Sequence, residues 1–286
     1  VIEAELRKKI REMLAEDLGS GDVTSNALFS PGLRAKAEVI AKQKGTLAGV
    51  AEALLVFKEA GVKAKALRED GASIAPGDVI FNLEGPARKI LAAERVALNL
   101  MMRMSGIATA TRELIVPAKR KNPHVVIAAT RKIAPLLRYF DKRAVIVAGG
   151  SPHRFDLSDQ VLIKDNHLKL AGSVTEAVEK FKNLKNVGKI EVEVVTPEEA
   201  LEAGRAGADI IMLDNMTPSQ IRLAIKMLER AGLRSRVSLE ASGGITPSNI
   251  AQFAATGVEV ISTSYMTMRS RALDLSLKIR KATSGR

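Results

Sequence analysis

The chain has no cysteine and no tryptophan, and only two tyrosines and seven phenylalanines among its 286 residues. Without cysteine there is no disulfide framework and no thiolate metal site, and three histidines without a second ligand pattern leave little for zinc. Any metal is expected to be a hard ion on oxygen ligands. Aromatic residues at 3% leave few faces for stacking single-stranded bases, and no nucleic-acid motif or basic arm is present. No apolar stretch approaches the roughly 20 residues that span a bilayer. The first residues lack the charged, apolar and small-residue regions of a signal peptide, and instead Val1 to Asp17 carries Ile2, Leu6, Ile10, Met13 and Leu14 at helical spacing. A cytoplasmic protein with no membrane and no nucleic-acid partner is the expectation.

What is present is charge and buried apolar pattern. Against 32 acidic residues stand 44 Lys and Arg, a net charge of +12, and hydrophobic residues make up 46% of the chain. Such an excess fits either a solvated basic surface or an anionic ligand. Its placement discriminates, because the cations recur at the ends of short apolar runs. Seven such runs occupy the second half: VVIAATRK ends in Arg131 and Lys132, AVIVAGGSPHR in His153 and Arg154, QVLIKDNH in Lys164, and IEVEVV carries Glu193. IIMLDN then brings Asp214, SLEASGG brings Ser242, Gly243 and Gly244, and VEVISTS brings Thr263 and Ser264. Near-continuous apolar runs read as parallel strands covered on both faces, and barrels of such strands do their chemistry at the carboxyl ends. The polar residues should converge on one face and favour a small, highly charged anion.

The chain is longer than the usual single domain of about 100 to 200 residues, and the runs begin only near Val125. Residues 1–108 are therefore expected to form an N-terminal sheet-and-helix domain and residues 109–269 an α/β barrel, with a C-terminal helix at about 270–286 packing back on the former. Within the N-terminal part, GSGDVTSN reads as a loop, AKAEVIAK as a half-exposed strand, VAEALLVFKEAG as a helix closed by Gly61, and the turn at Pro76, Gly77 and Asp78 precedes another strand. From Ala87 a long helical pattern follows, with Gly106 a point of interruption. Arg95 lies on its apolar stripe, where it either snorkels to water or is presented to a ligand or another subunit.

SGG at 242–244 reads either as a tight strand-to-helix turn or as a phosphate cradle, since two residues without Cβ leave backbone N–H groups accessible. In IEVEVV, alternation puts Glu191 and Glu193 on one side, and Glu193 is the candidate. Each cation taken singly fits a solvated loop charge.

Taken together, EDLGSGDVTS, AAERVALNLMMRMSGIAT, ATRK, the GG before PHR, VLIKDNH, EVEV, IIMLDNM, LEASGGI and ALDLSLK resemble the quinolinate phosphoribosyltransferase family from about Glu16 to Lys278. The resemblance implies an α/β fold, an incomplete parallel α/β barrel with an N-terminal α+β open-sheet domain. It implies a homodimer, or a hexamer built from dimers, whose active sites are shared between subunits. The implied reaction joins quinolinate to phosphoribosyl pyrophosphate and gives nicotinate mononucleotide, pyrophosphate and carbon dioxide, with Mg2+. In that pattern Arg131, Lys132, His153, Arg154 and Lys164 bind anionic groups, Arg95 arrives from the neighbouring subunit, and Glu193 and Asp214 serve the ribose and the magnesium-pyrophosphate of the donor. Lys132, Lys164, Glu193 and Asp214 are the implied catalytic residues, with Ser242, Gly243, Gly244 and Ser264 around the phosphates. The chain departs from the family pattern at Ala129, Ile133, Leu137, Ser264 and Met268. Competing readings are nicotinate phosphoribosyltransferase, a molybdenum-transport-associated relative, and a basic nucleic-acid-binding protein.

Overall fold

A computed structural model describes residues 3–182, 184 and 188–284, so Val1 and Ile2 of the expected first helix lie outside the described residues. The chain divides into two compact units, 1–110 with 135–148 and 270–286, and 111–134 with 149–269. Among the described residues no helix is long and apolar enough to cross a membrane.

In the first unit α1 (Glu3–Leu18) buries Ile10 and is tied down where Arg7 Nε donates to Glu59 at 2.8 Å. The segment expected to be a loop contains α2 (Val23–Leu28), because the Asp22 carboxylate accepts from the Ser25 N–H at 2.9 Å and caps it. Next come β1 (Leu33–Ala41), β2 (Gly45–Thr46), α3 (Val50–Glu59), β3 (Lys63–Ala66), β4 (Ser73–Ile74) and β5 (Val79–Pro86). The long helix α4 (Ala87–Lys121) is unbroken and buries Ile90, Ala93, Ala97, Met101, Met104 and Ala108 at spacings of three and four. Gly106 does not interrupt it. A Cβ there would lie 2.2 Å from the Arg271 carbonyl oxygen, so this glycine permits a close backbone approach.

The second unit holds a six-stranded sheet. After β6 (Val126–Ala128) comes α5 (Arg138–Val147), which belongs to the first unit, followed by β7 (Val161–Ile163), α6 (Asp165–Ala171), α7 (Val174–Lys182), β8 (Ile190–Val194) and α8 (Pro197–Ala206). Then β9 (Ile210–Asp214), α9 (Pro218–Arg230), β10 (Ser238–Ser242), α10 (Ile250–Ala254), β11 (Val260–Ser262) and α11 (Tyr265–Met268) complete it. The order is β6-β11-β10-β9-β8-β7, every pairing is parallel, and a single parallel bridge joins Ala128 to Ser151 beyond β6. The ring stops there, with Ser151 at one edge and β7 at the other, as an incomplete barrel. Thr196 and Thr217 cap α8 and α9 with proline in the first turn of each, so the strand-to-helix loops are short and fixed.

Two expectations are corrected. AVIVAGG is not a strand: Phe140, Ala144 and Val145 are buried at helical spacing in α5 and Ala148 caps its C-terminus, leaving only the Ser151 bridge near the expected position. The segment expected as a C-terminal helix is instead β12 (Leu275–Ser284), antiparallel to β1 along its whole length, in a sheet of order β12-β1-β5-β3. Its sequence LSLKIR alternates apolar and polar residues with period two, which suits an edge strand and gives a helix no continuous stripe.

Candidate active site

All six parallel strands deliver side chains to one cavity of about 350 Å³ in the second unit. From the end of β6 come Ala129, Thr130, Arg131 and Lys132; beyond the Ser151 bridge come His153 and Arg154; β7 contributes Leu162 and, at its end, Lys164. Glu193 on β8, Met212 and Asp214 on β9, Glu240 and Ser242 on β10, and Ser262 on β11 close the lining. Residues two apart on one strand share a face. Parity therefore accounts for Leu162 with Lys164, Met212 with Asp214, and Glu240 with Ser242.

The charges are interleaved. Lys164 Nζ donates to Glu193 Oε2 at 3.1 Å, His153 Nε2 lies 3.1 Å from Glu240 Oε2, and Asn215 donates to Asp214 Oδ2 at 2.6 Å. Arg154 is only 7% exposed, and burial first, then the charge of Arg131, holds its guanidinium below the usual arginine range. Lys132 is fixed through its backbone, where its N–H donates to Thr130 Oγ1 at 3.0 Å and its carbonyl accepts from Thr267 Oγ1 at 2.7 Å. His153 and Asn215 hold left-handed backbone angles, φ 55° and 54°, which cost energy in residues with a Cβ and often mark functional turns.

Below Glu193 on the same face of β8 lies Glu191, fully buried, with Oε2 accepting from Gln160 Nε2 at 3.1 Å. Burial, and then the charge of Glu240, push its carboxyl up to about 7. Since a carboxylate in the unfolded chain titrates near 4.5, the folded state binds the extra proton between those values, so stability is greatest below about 4.5 and falls as pH rises towards 7. Glu191→Gln is expected to flatten that fall in urea unfolding measured across the interval. Parallel wild-type and variant curves would contradict the assignment.

Of the residues expected from sequence, the cavity brings together Arg131, Lys132, His153, Arg154, Lys164, Glu193, Asp214 and Ser242. Gly243, Gly244 and Ser264 are not among its lining residues. Gly243, at φ 93°, is needed because a Cβ would meet Asn215 Oδ1 at 2.3 Å; Gly244 offers its carbonyl to Asn249 Nδ2 at 3.1 Å; and Ser264 heads the four-residue α11. The tight-turn reading of SGG accounts for both glycines. Arg95 lies on α4 with a side chain 56% exposed and the Glu94 carboxylate 3.9 Å away, and it does not line the cavity. Sequence reasoning missed Glu240, Met212, Leu162, Thr130 and Ser262. Parity from the strand-end residues was the signal for the first three.

Two groups of side chains have a donor set suited to a metal. Glu193 and Asp214 face the cavity with carboxylate oxygens only, which suits a hard ion completed by substrate phosphates. His153, Glu191 and Glu240 bring ligand atoms within 4.8 Å of one another, but there His153 Nε2 is already engaged by Glu240.

Residues 22–105 match the family model described as the N-terminal domain of quinolinate phosphoribosyl transferase, and residues 107–278 match that of its C-terminal domain. The chain is 45% identical over 272 residues to a probable nicotinate-nucleotide pyrophosphorylase [carboxylating] of Methanothermobacter thermautotrophicus, covering 95% of this chain and 98% of the relative. The nicotinate-nucleotide pyrophosphorylase [carboxylating] of Rattus norvegicus is 38% identical, covering 86% and 82%. Among solved structures, the nicotinate-nucleotide pyrophosphorylase of Francisella tularensis superposes with a TM-score of 0.90 at 35% identity, covering 98% of each chain.

Proposed function

The chain belongs to the quinolinate phosphoribosyltransferase family, and on that premise we propose that it transfers the phosphoribosyl group of phosphoribosyl pyrophosphate to quinolinate with decarboxylation, in NAD biosynthesis. The observation that carries this reading is one cavity in which Arg131, Lys132, His153, Arg154 and Lys164 stand beside Glu193 and Asp214. Quinolinate brings two carboxylates and the donor a phosphate and a pyrophosphate. An anion of this charge is held only where several cations converge. The forked guanidinium groups of Arg131 and Arg154 suit carboxylates, while Lys132 and Lys164 act as compact charges.

The quinolinate ring nitrogen attacks the anomeric carbon as the bond to pyrophosphate breaks, and positive charge develops on the ribose. The chain's part is placement and electrostatics. Glu193 and Asp214 hold the ribose side, and the cations stabilise the departing pyrophosphate. No side-chain nucleophile is required. The alkylated ring nitrogen is then positive, so as carbon dioxide leaves, the electron pair of the carbon–carboxylate bond remains on the adjacent ring carbon, stabilised by that charge, and the carbon takes a proton from water.

Mg2+, held by the donor's phosphates with Glu193 and Asp214, would neutralise charge on the leaving group. We assign Arg95 a place in the active site of a partner subunit in a homodimer, which its exposed side chain on α4 supports. Supplied with the donor and either quinolinate or nicotinate, the enzyme is expected to form nicotinate mononucleotide from quinolinate alone. Turnover of nicotinate instead would overturn the acceptor assignment.

A further inference from the structure

Two carboxylates lie in the second unit among the cavity's cations, and the reaction as described uses neither. Glu240, 2% exposed, and Glu191, fully buried, each carry one oxygen, Oε1, without a hydrogen-bond partner. Leaving such oxygens dry costs free energy, and apolar residues of the same size at these positions would commonly stabilise the fold. Their surroundings give them another use. Glu240 Oε2 is 3.1 Å from His153 Nε2, and Glu191 Oε1 is 3.8 Å from the same nitrogen. A carboxylate accepts, so Nε2 carries the proton and donates to Glu240. The Gln160 side chain donates to Glu191 at 3.1 Å, while its backbone carbonyl accepts from Arg154 Nη1 at 3.4 Å, so the two neighbouring cations of the pocket rest on one polar chain.

His153 needs such a support more than its neighbours do. It follows the bridge at the open edge of the barrel, not a full strand, and its backbone sits at φ 55°. Its ring direction is thus set less by a sheet ladder than by what the ring touches. β10, by contrast, is a central strand paired on both sides, with Glu240 in register with Met212 on β9 and Val260 on β11. A rigid strand therefore carries the acceptor, and a strained turn carries the group to be aimed.

We propose that Glu240 is a positioning residue for the acceptor side of the pocket: through Nε2 it fixes the ring of His153 for the pyridine dicarboxylate, while Glu191 is tied to Arg154 through Gln160. This rests on the reading of the cavity as a quinolinate and phosphoribosyl pyrophosphate site. It separates the pocket's carboxylates into two kinds, Glu193 and Asp214 facing the donor and Glu240 and Glu191 supporting the cations that face the acceptor.

The test is a double-mutant cycle on the full-length enzyme. Glu240→Ala removes the acceptor, and the isosteric Glu240→Gln removes the charge while keeping the volume, so one variant remains readable if the other fails to fold. Each is expected to raise KM for quinolinate roughly tenfold, with Glu240→Ala the larger, as for loss of a hydrogen bond to a charged group. KM for the ribosyl donor should stay within about twofold. In a His153→Ala background, where no ring remains to be positioned, the same changes should alter KM for quinolinate by less than about twofold. A readout without turnover comes from the imidazole nitrogens, since the chain has only three histidines. The signal lost in His153→Ala should report a protonated, hydrogen-bonded Nε2 in the wild type and lose that signature in Glu240→Ala. Effects that add fully to His153→Ala, or that move both substrates equally, would overturn the positioning role while leaving the reaction assignment intact. A wild-type enzyme that does not consume quinolinate would overturn both.

Discussion

Arg131→Ala and Lys164→Ala are each expected to lower kcat/KM by roughly 30-fold to several thousand-fold while the protein stays folded. Arg131 is exposed and the Lys164 side chain is 43% exposed, so neither holds up the core. Each is a cation that the reacting anions would meet inside a cavity. Truncating one partner of a desolvated, hydrogen-bonded charge pair costs about 2–5 kcal/mol, which is a loss of roughly 30-fold to several thousand-fold in kcat/KM. Lys164→Ala has a second effect, because Glu193 loses its 3.1 Å partner and its carboxylate is no longer held towards Lys164. The larger loss is therefore expected there. Steady-state kinetics with circular dichroism on the purified variants checks both, and near-wild-type rates in either would remove that residue from the site.

Arg103→Ala should give the largest loss of stability. Arg103 Nε and Nη2 each donate at 2.7 Å to the two oxygens of Asp141, whose side chain is fully buried. That bidentate pair joins α4 to α5 within the first unit. Removing one member of a buried pair costs about 3–5 kcal/mol, and because Arg103 is itself 32% exposed the lower end applies. About 3 kcal/mol corresponds to a fall of roughly 6–12 °C in Tm for a chain of this class. A shift below about 2 °C in thermal unfolding would show that the pair holds little. The replacement lies outside the cavity lining, so it also distinguishes loss of fold from loss of chemistry.

The barrel was legible because buried parallel strands leave a simple trace, a short apolar run with polar residues at its end, and the strand-end residues Arg131, Lys164, Glu193, Asp214 and Ser242 could be placed from that trace alone. The same trace misled at AVIVAGG. There Ala144 and Val145 belong to a helical face, and the neighbouring Asp141 and Lys142 are buried charges that a periodicity argument assigns to the surface. The C-terminal strand was missed for the opposite reason. LSLKIR alternates plainly, but an edge strand is recognised by the partner whose hydrogen bonds it completes, and β1 lies more than two hundred residues earlier in the chain. Alternation put Glu191 and Glu240 on the side of the strand-end residues, but what a buried carboxylate does there is not legible until His153, distant in sequence, is seen 3.1 Å from Glu240. Arg95 carries no such trace, because its side chain is exposed on α4 and does not line the cavity.

One cavity is expected to carry out both ribosyl transfer and decarboxylation, and release of labelled carbon dioxide from carboxyl-labelled quinolinate reads both steps at once. Release that requires both phosphoribosyl pyrophosphate and Mg2+, and that falls at least about 30-fold in Lys164→Ala, is the expected result. Release without the ribosyl donor, or none with all components present, would contradict it.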